Sequence, residues 1–151
     1  MAIRYFNDNC TYRFVGRRTI NRWLREVAQS EGYRVLDIGV IFCSAERLLA
    51  MNREFLQHDY YTDIITFDDS DLEGGVISGE LFIDVETVAD NATLYGSTPL
   101  REMHRILVHG TLHLCGQGDK SLEDSVEMRA KEDRYLSLLD AIVEESSSPR
   151  I

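Results

Sequence analysis

The run VLDIGVIFC at Val35–Cys43 is the feature that most constrains how this chain can fold. It is apolar and rich in β-branched side chains, which predicts a buried strand. Residues 16 to about 31, just before it, have the periodicity of an amphipathic helix, and Gly32 is expected to end that helix. Its apolar face comprises Ile20, Trp23, Leu24, Val27 and Ala28. Its opposite, exposed face comprises Arg17, Arg18, Arg22 and Arg25.

Similar patterns predict the remaining elements. Further strands are expected at Ile3–Phe6, Asp63–Phe67 and Val76–Asp84. Further helices are expected from Ser44 to Leu56, from Val85 to about Gly96, from Thr98 onward with Pro99 at the first position, and from Ser121 onward. This order predicts an α+β fold in which a small mixed four-stranded sheet packs with about five helices. We expect one domain over residues 1–143 and a frayed tail at 144–151.

Composition excludes several classes of protein. With 151 residues, the chain is long enough for one real core. No apolar run approaches the roughly 18 to 20 residues of a membrane span, and the first ten residues lack the apolar core of a signal peptide. The three cysteines, Cys10, Cys43 and Cys115, are too few for a disulfide framework. We therefore expect a cytoplasmic protein with reduced thiols and no membrane partner.

The charge is unevenly distributed along the chain. The net charge of −10 argues against a protein that coats nucleic acid. Residues 1–34, however, contain seven arginines and only three acidic residues. The arginine face of the first helix, Arg17, Arg18, Arg22 and Arg25, is therefore a candidate anion-binding site, and an ordinary solvated helix surface is the alternative.

The segment His109-Gly-Thr-Leu-His113-Leu-Cys-Gly116-Gln-Gly-Asp119 contains the residues best suited to chemistry. Histidines at positions i and i+4 share one face of a helix, so that both imidazoles can reach one cation. Gly116 is expected to end the helix and reverse the chain, which would allow Asp119 to return to the same cation. Two nitrogens and one carboxylate oxygen would leave a coordination position for water, as catalytic zinc sites do.

Other interpretations of this spacing remain open. Two histidines four residues apart often occur by coincidence. A zinc peptidase of the H-E-x-x-H type has its general base directly after the first histidine, where this chain has Gly110. A His/His/Asp set also occurs in non-haem iron oxygenases, but there we expect the ligands on the strands of a barrel.

The motif resembles the signature H-G-x-L-H-L-x-G-Y-D-H of the YbeY family of bacterial rRNA-maturation endoribonucleases. Upstream segments are also similar to the family pattern: Asn52, Asp59, Thr62–Phe67 and Gly79–Ile83. The resemblance implies an α+β fold with a metzincin-like helix, one zinc ion bound by His109, His113 and a third ligand, and hydrolysis of single-stranded RNA. It also implies a role in 16S rRNA 3′-end processing and ribosome quality control, with small-subunit ribosomal proteins and a ribosome-assembly GTPase as partners.

Two positions depart from the family pattern. The third ligand is usually histidine, and here it is Asp119, a competent zinc ligand that makes the cation a weaker Lewis acid and admits other divalent metals. The family also usually has an arginine where this chain has Leu56. His58 could supply part of that missing cation.

These observations leave two functional hypotheses. The first is a metal-dependent endoribonuclease, for which His58 and the strand carboxylate Glu80 are candidate catalytic residues. In this hypothesis the arginine face of the first helix is a candidate contact for the RNA backbone. The second is a metal-stabilised ribosome-assembly factor that binds rRNA or protein partners with negligible hydrolysis. The substitution at Leu56 and the acidic surface favour the second hypothesis, whereas the open three-ligand site favours the first.

Overall fold

The computed structural model describes residues 2–56 and 62–147. The strands are β1 (Ala2–Asp8), β2 (Arg34–Cys43), β3 (Ile64–Asp68) and β4 (Val76–Asp84). The helices are α1 (Arg17–Ser30), α2 (Ala45–Leu56), α3 (Val85–Leu94), α4 (Pro99–Leu114) and α5 (Leu122–Ser147). The predicted α+β class, with a four-stranded mixed sheet and five helices, is confirmed. None of the helices in the described part of the chain combines the length and apolarity of a membrane span.

The sheet has the strand order β1-β2-β4-β3. Strands β1, β2 and β4 run parallel, whereas β3 runs antiparallel to β4 and forms one edge of the sheet. The predicted buried strand, β2, lies between β1 and β4, where both its edges form hydrogen bonds. Its central residues Ile38, Val40 and Phe42 are buried, as expected for an interior strand.

Helices cover both faces of the sheet at the β3 end. On one face Leu81 of β4 packs beneath α4, and the main core continues from there to α1 and α5. Trp23 of α1 joins that core, and its Nε1 donates a hydrogen bond to the carbonyl of Tyr135 on α5 at 2.7 Å. On the other face α2 covers Ile65 and Phe82, with which it forms a second, smaller apolar cluster.

Two glycines allow α4 to lie very close to this sheet. A Cβ added at Gly110 of α4 would lie 2.8 Å from Cδ1 of Ile64 and 2.9 Å from Cδ2 of Leu81. A Cβ at Gly79 of β4 would lie 2.9 Å from Cδ2 of Leu114 and would collide with the carbonyl of Phe67. Any larger residue at these two positions would push the helix away from β3 and β4.

Side-chain caps set most helix starts where the sequence predicts them. Thr98 accepts a hydrogen bond from the N–H of Arg101 at the start of α4, and Pro99 occupies the first turn. Ser121 accepts one from the N–H of Asp124 at the start of α5. Helix α5 continues through Ser147, and its buried face extends as far as Ile142.

Candidate metal centre

Helix α4 brings His109 and His113 together on its last two turns. Their Nε2 atoms lie 3.0 Å apart, with the rings nearly perpendicular. Both side chains are partly buried. The two Nε2 atoms therefore converge on one point at the mouth of a cleft, as the i, i+4 spacing predicts.

The turn after α4 adds Asp119 to the pair. Gly116 has a φ of +92°, and the N–H of Gln117 bonds back to the carbonyl of Leu112 at 3.0 Å, so the chain reverses directly after the helix. Asp119 Oδ2 lies 3.3 Å from Nε2 of His109 and 3.3 Å from Nε2 of His113. In a tetrahedral zinc site with bonds of about 2.0 Å, ligand atoms are separated by roughly 3.3 Å. The three donor atoms thus fit one small cation.

The other ring nitrogen of each histidine has a protein partner. Nδ1 of His109 lies 2.7 Å from Oε2 of Glu132, and Nδ1 of His113 lies 2.9 Å from the carbonyl oxygen of Gln117. The carbonyl of Gln117 can only accept a hydrogen bond, and so can the carboxylate of Glu132 when it is ionised. Nδ1 of each ring therefore carries the proton, and the Nε2 lone pair is available to a cation. This arrangement is typical of histidines that bind metals.

Glu132 of α5 is held by charged neighbours and is almost fully buried. Its Oε1 accepts a hydrogen bond from Nη1 of Arg105 at 2.9 Å, and Arg129 lies 3.7 Å from the same oxygen. Arg105 also donates to Asp133 at 2.8 Å. Burial alone would raise the pKa of the Glu132 carboxyl, but the hydrogen bonds from His109 and Arg105 outweigh it, so its pKa is lowered and it stays ionised.

The same contact changes the titration of His109. Burial lowers the pKa of its imidazole, but the hydrogen bond to Glu132 and the negative charges of Glu132, Asp119 and Asp63 outweigh burial and raise it.

A cleft of about 580 Å³ opens beside the three donor atoms. Its walls come from α2, β3, α4 and the turn after α4, and they include Asn52, Thr62, Asp63, Thr66 and Lys120. Burial raises the pKa of the Asp63 carboxyl, although the nearby charge of His109 partly opposes the rise. Asp63 is therefore a carboxyl near the donor atoms that is suited to carrying a proton.

Several predicted site residues lie away from this centre. Glu80 is exposed on the opposite face of the sheet, beside Gly39 of β2, because neighbouring residues of a strand point to opposite faces and Leu81 faces α4. The structure thus places Glu80 away from the three donor atoms. His58 lies outside the described residues, as do Asp59 and the side chain of Leu56.

The arginine face of α1 does not line the cleft. Arg17 lies over the ring of Tyr5 on β1, at the far edge of the sheet. Arg22 pairs with Glu26 at 3.5 Å and with Glu145 at 3.1 Å. The structure thus brings together His109, His113 and Asp119 but separates them from Arg17, Arg18, Arg22 and Arg25.

The sequence patterns do not identify Glu132 or Lys120 as residues of the site, and they do not show the burial of Asp63. Glu132 lies 23 residues after His109 on another helix, so no local spacing connects the two. The only signal is a charged residue on a helix face that otherwise carries the buried side chains of Met128, Tyr135 and Leu136. An acidic residue on such a face needs a buried partner.

Comparisons with known proteins agree with the fold and the motif. The chain is similar over its full fold to the solution structure of TM1509 from Thermotoga maritima, with a TM-score of 0.66, 23% identity, and coverage of 97% of this chain and 94% of that one. It is 50% identical over 137 residues to the endoribonuclease YbeY of Cytophaga hutchinsonii, which covers 91% of this chain and 95% of the relative. It is 43% identical over 139 residues to that of Parabacteroides distasonis, covering 92% and 96%. Since the family profile described as endoribonuclease YbeY also matches residues 6–140, the chain belongs to the YbeY family of endoribonucleases.

Proposed function

We propose that this protein is a zinc-dependent, single-strand-specific endoribonuclease that acts in 16S rRNA 3′-end maturation and ribosome quality control. The observation that carries the proposal is the convergence of His109 Nε2, His113 Nε2 and Asp119 Oδ2 within 3.3 Å of one another at the mouth of a cleft. Membership of an endoribonuclease family supports RNA as the substrate. Cytoplasmic location is part of the same proposal, since ribosome maturation takes place there.

A zinc ion bound by these ligands would lower the pKa of a coordinated water and neutralise charge on a phosphodiester. Neighbouring residues of the protein set the protonation of the two histidines. Glu132 and the carbonyl of Gln117 keep the protons on Nδ1, so that both histidines present neutral Nε2 donors. Asp119 adds a negative charge where relatives of this family usually have histidine, which favours retention of the cation and admits other divalent metals.

We assign proton transfer to Asp63. It lines the cleft together with His109 and Asp119, and its buried carboxyl has a raised pKa. A carboxyl with a raised pKa can accept a proton from a nucleophile and return it to a leaving group. Asp63 thus takes the role for which the sequence suggested Glu80.

The second candidate function is a ribosome-assembly factor in which the metal is structural. Leu56 in place of the family arginine and the net charge of −10 favour it. In that case the protein would bind rRNA, small-subunit ribosomal proteins or a ribosome-assembly GTPase with negligible hydrolysis. The same partners are proposed for the enzyme, on the resemblance alone.

Cleavage of single-stranded RNA by wild type, His113→Ala and His104→Gln, all purified identically, separates the two functions. His104 lies on the same helix but packs against Trp23 at a ring distance of 6.1 Å, away from the donor atoms, so it controls for general damage to α4. We expect His113→Ala to lose at least a hundredfold in rate while His104→Gln stays near wild type. Equal rates in all three proteins, or no cleavage in any with folding intact by circular dichroism, would favour the assembly factor.

A further inference from the structure

Strand β3 has one edge that is free within the part of the chain that the structure describes. Its ladder partner is β4, and no other described strand pairs with it. The N–H of Asp84 donates to the carbonyl of Asp63 at 2.9 Å, and the N–H of Asp69 donates to the carbonyl of Ser78 at 2.8 Å. Both bonds join directly opposite residues of the antiparallel pair, which shows which positions form its hydrogen bonds.

Hydrogen-bonded and non-bonded pairs alternate along antiparallel strands. Since Asp63 and Asp69 belong to the bonded set, the residues of β3 in the alternate set direct their backbone N–H and C=O groups away from β4. These residues are Ile64, Thr66 and Asp68. The hydroxyl of Thr62 lies 3.4 Å from the carbonyl oxygen of Ile64, in agreement with that direction.

This free edge lies in the cleft of the metal centre. The cleft is lined by Asn52 of α2 from one face of the sheet and by His109 and His113 of α4 from the other. A cavity that touches both faces of a sheet passes around its edge. The outward backbone groups of β3 therefore face the same cleft as the three donor atoms.

We propose that the free edge of β3 binds the bases of the single-stranded RNA substrate through hydrogen bonds from the backbone N–H and C=O groups of Ile64, Thr66 and Asp68. The inference rests on the proposed function and specifies how the same cleft holds its substrate. The hydrogen-bonding edges of unpaired bases carry donors and acceptors side by side, which complement a row of backbone N–H and C=O groups. Lys120, exposed on the same cleft, is placed to contact a phosphate of that strand.

This arrangement accounts for a preference for single strands. In a duplex the Watson–Crick edges of the bases are already paired and cannot meet a protein backbone. An extended peptide could also add to a free strand edge. RNA is favoured because the chain belongs to a family of endoribonucleases.

Amide shifts of ¹⁵N-labelled, zinc-loaded protein test the proposal directly. The probe is a uridine tetranucleotide in excess, so that any cleavage still leaves single-stranded RNA in the cleft. We expect the amide signals of Thr66 and Asp68 to shift and their hydrogen exchange to slow at least threefold, with no such change on addition of duplex RNA. Unchanged amides at these positions, or changes produced only by an extended peptide, would overturn the proposal.

A pair of variants at one position isolates the backbone donor. Thr66→Pro removes the outward N–H without removing a ladder bond, a substitution that edge strands tolerate, whereas Thr66→Val keeps the N–H. Both variants lose the same hydroxyl. We expect Thr66→Pro to bind the tetranucleotide roughly three- to tenfold more weakly than Thr66→Val, with equal zinc affinities, since one net hydrogen bond is lost. Equal RNA affinities would refute the proposal.

The outcome also separates this inference from the proposed function. If the protein cleaves RNA but the amide signals of Thr66 and Asp68 do not shift, the proposed hydrolase stands and the edge site is refuted. If these signals shift but no RNA is cleaved, the edge site stands and the proposed hydrolase is refuted. If the proline variant does not fold, the amide measurement on wild type still decides the matter.

Discussion

Glu132 accepts a hydrogen bond from Nδ1 of His109 at 2.7 Å, between two helices and across 23 residues of sequence. A carboxylate in this position orients the imidazole and makes its Nε2 a better donor to a metal. Arg105 anchors the same carboxylate from the other side at 2.9 Å. The packing of α5 against α4 thus contributes directly to the candidate metal centre.

Glu132→Gln should weaken zinc binding about 10- to 100-fold, because the neutral amide orients and polarises His109 less well. Competition with a chromophoric chelator measures the affinity. Asp133→Asn is the matched control, since Asp133 also pairs with Arg105, at 2.8 Å, but has no contact with His109. If both variants weaken zinc binding equally, the effect comes from Arg105 rather than from the contact with His109.

Asp63→Asn should lower the rate of RNA cleavage by about a hundredfold or more, while changing zinc affinity by less than about threefold, because Asp63 is assigned to proton transfer and not to the metal. The two quantities are measured on the same preparation. Asp69→Asn removes an exposed carboxylate next to β3 that is not among the described residues lining the cleft, and it serves as the comparison. A parallel loss of zinc from the Asp63 variant would contradict the assignment.

Gly79→Ala should destabilise the fold by about 2 to 3 kcal/mol, because the added Cβ would collide with the backbone carbonyl of Phe67 and with Leu114. Gly39→Ala in β2 should be neutral or slightly stabilising, since its Cβ would meet atoms only at 3.6 Å or more. Urea unfolding of the two metal-free variants gives the comparison. Similar midpoints would show that α4 can move away from the sheet at little cost.

Titration of His104 should lower the free energy of unfolding in mildly acidic solution. Burial lowers the pKa of its imidazole to about 4, from 6.5 in an unfolded chain. Between these values the unfolded chain binds the proton and the folded protein does not, so the free energy of unfolding decreases as pH falls from 6.5 to 4. The shift corresponds to at most about 3 kcal/mol, less after solvent screening.

His104→Gln lacks this titration and should lose less stability over the same range. Urea unfolding at pH 7 and pH 4.5 in the presence of a chelator measures the difference. The titration of His109 has the opposite effect on the free energy of unfolding, since its pKa is raised. His109 is present in both proteins, so its contribution cancels in the comparison. A fall of the same size in both proteins would show that His104 is not the titrating group.

The arginine face of α1 remains a candidate contact for the RNA backbone outside the cleft. If it binds phosphates, Arg17→Glu combined with Arg18→Glu should weaken RNA binding and reduce the slope of log Kd against log salt, without changing zinc affinity. Fluorescence anisotropy over a salt series measures the slope. An unchanged slope would leave α1 as an ordinary solvated helix surface.

The sequence by itself determined the local features of this protein. The 3.6-residue and two-residue periodicities, the caps at Thr98 and Ser121, and the turn at Gly116 depend on neighbouring residues, and the structure has them where they were predicted. The spacing of His109, His113 and Asp119 likewise fits within one helix and its following turn. Such features need no knowledge of the rest of the fold.

Tertiary structure decided what surrounds the three candidate metal ligands. Glu132 reaches His109 only because α5 packs on α4, and the edge of β3 meets the same cleft only because β3 lies outside β4. Glu80 lies on the sheet face opposite α4, because alternate residues of β4 point to opposite faces. Contacts between distant segments depend on the packing of whole elements, and the composition and spacing of a segment do not specify its partner.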